Sequence, residues 1–427
     1  MEENNELVSY SRVKPEEKRS WGSIAFVWIG SSVCVPALMV GGMIGVGLPF
    51  GQAVLAMAIG FLLVCTYMVF IGMQGSDLGL PTTAILTRAF GERGSTIASG
   101  LVLAISLIGW FGMNTVVCGS AFCSLLSSAT GGYEFPLWLA NILWGAAMLA
   151  TAVFGIKSID VLNKIAVPAL VIMLVWGLIH ALGDGGSAVV SAWVPSQPIP
   201  FIAGVTLAVS GFAIGAVLAS DYTRFNKTRK DTTKACLWGV FPASILVLSI
   251  GGILAITTGS YDLTLMFANM GLPIIGLICL ILATWTTNVG NAYSGGIAIL
   301  GIFKIKSDKR SIVTCVAGVI GIILAITGIM NYFSSFLSFL SVLVPPMAGV
   351  VIADYWIVGK GNAAEWKPFK GVNWLGILSW VCGTAFAMIF NFFVPTINGV
   401  IVAMLVYFVL CKTVKSEKAN PFAAKAE

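Results

Sequence analysis

The chain has 427 residues, of which 58% are hydrophobic and 10% charged, and its mean hydropathy is +0.94. These values exclude a soluble globule and leave room for about twelve apolar runs of the ~20 residues that cross a hydrocarbon core. The net charge of +6 sits between those runs, where orientation and contact with anionic lipid account for it without nucleic acid.

In chain order, an acidic polar stretch and Arg12, Lys14, Lys18 and Arg19 precede a first predicted span at residues 24–48. No cleavable leader is expected, so that span itself directs insertion. The second span (53–73) is followed by Arg88 and Arg93, and the third (97–127) is long enough to tilt. Lys157 and Lys164 flank the gap between the fourth (136–154) and fifth (161–182) spans. The sixth (201–219) leads into Arg224, Lys227, Arg229, Lys230 and Lys234. The seventh (236–257) and eighth (272–302) precede Lys304, Lys306, Lys309 and Arg310. After the ninth (312–330) and tenth (333–351) come Lys360, Lys367 and Lys370. The eleventh (374–393) and twelfth (398–410) end at Lys412, Lys415, Lys418 and Lys425. All 24 basic residues thus fall in alternate gaps, which predicts a multi-pass protein of the cell membrane with both termini cytoplasmic. The remaining gaps carry only Glu134, Asp184 and Asp262 as charges.

Gly30, Ser31, Ser32 and Pro36 interrupt the first span, with Gly41, Gly42, Gly45 and Gly47 beyond them, and Ser210, Gly211 and Gly215 interrupt the sixth. Such residues mark helix packing, a kink or an unwound segment. Their place in corresponding halves points to a transporter site between two five-span inverted repeats, followed by two extra spans. The domain expectation is an all-α membrane protein: a tail at 1–20, one transporter domain at 21–412 and a tail at 413–427. Within that domain the repeats cover about 21–184 and 198–356, and the extra helices 373–412.

The densest polar cluster at mid-membrane is Thr284, Thr286, Thr287 and Asn288, followed by Asn291, Tyr293 and Ser294. It reads as oxygen ligands for a hard cation such as Na⁺, or as hydrogen bonding between helices. Trp110 is far from either headgroup layer, so it is a packing residue or, with Phe212, a stacking surface for a flat heteroaromatic guest. Asp221, Arg224 and Asp354 form solvated or ion-paired loops, or an inner gate. His180 reads as interfacial, and the nine cysteines as buried free thiols. No Walker loop, nucleophile–base set or metal motif is present, so an enzyme, ATP-driven transport and any cofactor beyond a coupling ion are not expected.

Several segments together resemble the nucleobase:cation symporter-1 family, within it the bacterial cytosine permeases. They are Gly109-Trp110-Phe111-Gly112, Phe154-Gly155-Ile156-Lys157 through Ile165-Ala166-Val167-Pro168-Ala169, Asp221-Tyr222-Thr223-Arg224-Phe225, Trp285-Thr286-Thr287-Asn288, and Pro345-Pro346 leading to Asp354-Tyr355. The resemblance implies the leucine-transporter-type fold with five-helix inverted repeats, and import of a nucleobase with Na⁺ or H⁺ by alternating access. It further implies that Trp110 and Phe212 sandwich the base. Sodium would be held by the carbonyls of Gly30 and Val33 and the hydroxyls of Thr286 and Thr287. The polar side chains that cytosine permeases place around the base are replaced here by Leu107, Gly211, Ile214 and Ala283, and the residues after Asn288 are Val289-Gly290. Losing several such partners, at about 1–3 kcal/mol each, disfavours tight cytosine binding unless Ser106, Asn288, Asn291 or backbone groups substitute. The expected cargo is cytosine or another planar heterocycle: a purine, an allantoin-like compound or a hydroxymethylpyrimidine-type vitamin precursor. A ligand-sensing receptor that does not transport is the alternative, and a monomer in the bilayer is compatible with either.

Overall fold

The computed structural model describes residues 12–154, 156–183, 185–261, 273–390, 392–417 and 419–423, with side chains except at 154–167, 273, 275 and 307. Lys157, Lys164, Asp184, Asp262, Lys418, Lys425 and most of the family motif around Gly155 lie outside the described residues or side chains. No β-strand occurs among the described residues. The chain forms α1 (Trp21–Ser32), α2 (Val35–Gly47), α3 (Phe50–Leu78), α4 (Thr82–Ala89), α5 (Glu92–Thr130), α6 (Leu137–Phe154) and α7 (Ile156–Leu182). Then follow α8 (Gly186–Ser191), α9 (Phe201–Val217), α10 (Ser220–Thr223), α11 (Arg229–Thr258) and α12 (Pro273–Phe303). The last are α13 (Arg310–Ile326), α14 (Phe333–Leu343), α15 (Pro345–Ile352), α16 (Trp374–Ile389) and α17 (Pro395–Thr413). Counting α1 with α2 and α14 with α15 as single spans, and setting aside the short α4, α8 and α10, these helices fit the twelve expected crossings.

Span one is broken. α1 and α2 meet at a 64° bend over Val33 and Cys34, where Val33 leaves helical geometry (φ −86°, ψ 82°) and Cys34 is extended. Pro36 starts the second half, at a helical position where its missing N–H costs nothing. The glycines downstream have another use. A Cβ on Gly41 would strike the Leu248 carbonyl, and one on Gly45 the backbone of Gly252, so both let α2 pack backbone to backbone on α11. Span six differs from expectation. α9 runs unbroken through Ser210, Gly211 and Gly215, and the chain turns only at Leu218 and Ala219 into α10. A glycine in a spanning helix costs little when neighbouring helices satisfy the backbone; here Gly204 is filled by Leu48 and Ala56, and Gly215 by the ring of Phe212.

The helices sort into two groups. α1, α2, α3, α9 and α11 pack on one another, while α5, α6, α12 and α13 form a second cluster that meets the first where α12 touches a short stretch of α2. α14 and α15 lean on α9 and on the α16–α17 pair.

Hydrogen bonds gather most of the basic gaps at one end of the bundle. Lys18 Nζ donates to the carbonyls of Ser76 (3.1 Å), Arg224 (2.8 Å) and Asn226 (2.9 Å), strapping the N-terminal segment across the ends of α3 and α10. Burial lowers the Lys18 pKa, with Asp77 opposing that shift. Arg229 grips Asp77 through Nε and Nη2, and Tyr355 donates to the same carboxylate at 2.8 Å. Arg88 Nε donates to Asp354 at 2.7 Å, and Tyr407 donates to the other carboxylate oxygen at 2.9 Å. Asp354 and Tyr355 sit on a π-helical turn, Ala353–Val358, that presents the two side chains to opposite neighbours.

Arg88 and Asp354 are 4% and 0% exposed, so removing one partner strands a buried charge. Arg88→Met is expected to destabilise the protein by about 3–5 kcal/mol, and Arg88→Met with Asp354→Leu by less than that. Thermal unfolding in detergent, followed by tryptophan fluorescence, checks this; a double variant no better than the single one refutes it.

Candidate functional site

The break in span one frees backbone groups from helical pairing. Val33 N donates back to Gly30 O at 3.3 Å, closing a tighter turn than an α-helix. Gly30 and Ser31 at the break are exposed. On α12, the hydroxyls of Thr286 and Thr287 both donate to the carbonyl of Ala283, at 2.9 and 3.2 Å. Each hydroxyl spends its proton on its own helix and keeps oxygen lone pairs for an incoming group. Ala283 thus orients the pair through its backbone. Thr287 is exposed nine residues, about 2.5 turns, beyond exposed Ile278 and so on the opposite side of the helix, and Gly290 is exposed about one turn further on. Carbonyl and hydroxyl oxygens are the hard donors that an alkali cation takes.

Trp110 and Phe212 sit on different walls. Trp110 projects from α5 against Phe336 (5.6 Å between centroids) and Phe333 (6.1 Å) of α14, both edge-on. Phe212 on α9 packs on Trp28 (6.0 Å) and Phe61 (5.9 Å). Gly211 and Phe212 line a cavity of about 20 Å³ beside Ser31, Ser32 and Cys34. Ile214 instead faces a different cavity, toward α4 and α15. Leu107 lies near the position where Gly295 of α12 has no side chain.

Asn288 is fully buried and engaged inside the protein. Its amide donates to Phe111 O (3.0 Å), Thr115 Oγ1 (3.2 Å) and Met148 Sδ (3.2 Å), and its oxygen accepts from Asn291 at 3.3 Å. It ties α12 to α5 and α6. Trp285 likewise turns to α6, donating to Thr151 at 3.2 Å.

Two polar atoms beside Trp110 have no partner: Ser106 Oγ and Asn114 Nδ2, both buried. They lie four residues before and after the indole, about one turn each way and so on the same helix face. The sequence marks Ser106 as a substitute donor but gives no reason to single out Asn114, because its freedom from neighbours is visible only in three dimensions.

The gate candidates resolve into paired groups. Asp354 is held by Arg88 and Tyr407, as described above. Asp221 Oδ1 accepts from the backbone N–H of Thr82 at 2.8 Å; burial pushes its carboxyl up, opposed by that hydrogen bond and by Arg224. Arg224 lies over Phe225 at 4.9 Å. His180 stacks on Trp176 at 5.3 Å near the other end of the bundle, and the nine cysteines are free thiols.

The family model for a permease for cytosine/purines, uracil, thiamine and allantoin matches residues 13–410. The chain belongs to this permease family. The cytosine permease of Escherichia coli K12 is 30% identical over 396 residues, covering 91% of this chain and 90% of the relative. The hydantoin permease of Microbacterium maritypicum is 26% identical over 444 residues, covering 95% and 88%. Among solved structures, this permease superposes on inward-facing Mhp1 with a TM-score of 0.77 at 23% identity, over 93% of each chain. Mhp1, a nucleobase-cation-symport-1 family transporter, in a closed conformation with bromovinylhydantoin bound gives 0.75 at 22% identity, over 94% and 95%. The fold is that of the leucine-transporter-type proteins, and the protein is a multi-pass membrane permease.

Asn288→Ala is expected to cost about 1–3 kcal/mol of stability, because it leaves buried partners unmade. Ligand affinity should stay within about twofold, since no atom of Asn288 is free to meet a guest. Thermal unfolding alongside equilibrium binding checks both; a large affinity loss at unchanged stability would overturn the structural role.

Proposed function

We propose that this permease is a symporter that imports a planar, N–H-bearing heterocycle of the cytosine, hydantoin or allantoin kind with Na⁺, by alternating access, with both termini in the cytoplasm. The observation that carries the reading is the presence of two sets of polar atoms with bonding capacity to spare. Hydroxyl and carbonyl oxygens at the span-one break and on α12 offer a cation site. Ser106 Oγ and Asn114 Nδ2 flank an indole face that a flat ring can stack on. Buried polar atoms without partners cost about 1–3 kcal/mol each, and a guest that bonds them recovers that cost. Na⁺ is preferred over H⁺ because, among the described residues, the lining of the cavity beside the break includes no carboxylate or histidine to carry a proton. Trp110 on α5 and Phe212 on α9 would close on the ring when the two helix groups approach.

The relatives named as cytosine, hydantoin and allantoin permeases support a cyclic amide or amidine as cargo. The replacement of cytosine-type polar positions by Leu107, Gly211, Ile214 and Ala283 favours a ring that is read from the α5 side. Accumulation in proteoliposomes separates a transporter from a receptor, which binds without concentrating.

A thermal-shift panel of cytosine, hydantoin and allantoin, with and without Na⁺, tests the reading. One compound should stabilise the folded protein, and more so with Na⁺. Stabilisation by none of them, or with no effect of Na⁺, rejects it. Thr287→Ala should lower uptake and its sodium dependence together, whereas unchanged sodium dependence removes Thr287 from the cation site. Trp110→Ala should weaken binding by about 1–3 kcal/mol, the usual worth of aromatic stacking on a base; full affinity in folded protein rejects the stacking role.

A further inference from the structure

Two cavities lie end to end between the candidate site and the basic end of the bundle. The larger, about 160 Å³, is bounded by hydroxyls of Thr83 (α4), Ser95, Thr96 and Ser99 (α5) and Ser294 (α12), and on its apolar side by Gly100, Leu103, Ile297, Ala298 and Gly301. The smaller, about 20 Å³, shares Thr83, Ser99 and Leu103 with it and reaches Ile214 of α9 and Met347 of α15. That neck holds about one water, since a water needs roughly 10–15 Å³ of such space. The larger chamber is below the ~300 Å³ of ordinary drug-sized pockets and suits a single ring.

Two helix faces lead into this chamber from the candidate site. On α5, Ser99, Leu103, Ser106 and Trp110 follow one another at helical spacing on one face, so the chamber lies about 16 Å along the axis from the indole. On α12, the exposed stripe of Thr287 and Gly290 continues to exposed Ser294. The chamber's polarity comes from hydroxyls alone. Ser95 and Thr96 donate to Glu92 O at 3.2 and 3.0 Å, and Ser99 donates to Ser95 O at 2.6 Å. All three therefore turn unused lone pairs outward. The hydroxyls of Thr83 and Ser294 make no hydrogen bond within the described structure. Such a wall accepts hydrogen bonds from ring N–H groups without a charge that would trap them.

We propose that this hydroxyl-lined chamber is a second, weak binding site on the release path of the transported ring, and that Thr83, Leu103 and Met347 form the gate between it and Trp110. The proposal rests on the transporter reading. It adds where the ring pauses after leaving the stacking site, and it selects for cargo rich in N–H donors.

The test fills the chamber without touching the stacking site. Ser99→Leu is expected to cut initial uptake of the panel compound that the wild type carries by about tenfold, with affinity in detergent within about twofold. Uptake within about twofold of wild type overturns the proposal. Should Ser99→Leu fail to fold, Thr83→Cys decides. A membrane-impermeant maleimide should modify it above the wild-type background in inside-out vesicles and not in right-side-out ones. Absence of that modification in folded protein overturns the chamber's access to the basic side. If the wild type binds none of cytosine, hydantoin and allantoin, the transport reading fails, and the labelling result still decides whether the passage exists.

Discussion

Everything at the candidate site depends on one interruption. At Val33 and Cys34 the backbone abandons helical pairing, which a lipid environment does not permit unless protein or a cavity surrounds it. The shielding comes from α11. α1 packs on it below the break and α2 above it, and α2 approaches closely enough through Gly41 and Gly45 to leave no lipid-filled seam. Ser244 of α11 donates to Ser32 at 3.1 Å next to the break, so even the hydroxyls there are partly used to hold the two segments together.

Near the break and around Trp110 several polar groups are half-spent or without a partner: two threonine hydroxyls, Ser106, Asn114. At the basic end two sets of charged and polar side chains bond to one another. Arg88, Asp354, Tyr407 and Asn373 form one closed set, with Asn373 donating to Arg88 O at 3.2 Å. Asp77, Arg229 and Tyr355 form another. Both sets are anchored on the π turn that ends span ten.

The span pattern was legible because hydropathy and the alternation of lysine and arginine report on the bilayer directly, residue by residue. What a glycine does was not. Gly41 and Gly45 carry the same signal as a helix break, yet they serve close packing, while the true break falls at Val33 and Cys34, inside the stretch 30–36 that the sequence marks. Gly211 and Gly215 likewise carry that signal and sit in a continuous helix. Asn288 illustrates a second limit. Its polarity at mid-depth is visible in the sequence, but the direction of its amide depends on Thr115 and Met148, which lie 173 and 140 residues away. The short helices α4, α8 and α10 escape sequence reading because eight, six and four residues are too few to show a period.

The strap formed by Lys18 bears on how the molecule is assembled. Two of its three carbonyl acceptors belong to residues 206 and 208 positions later in the chain. A ribosome must therefore deliver six spans before the opening segment can be fastened. One of the earliest parts to be made is seated only once half of the spans exist.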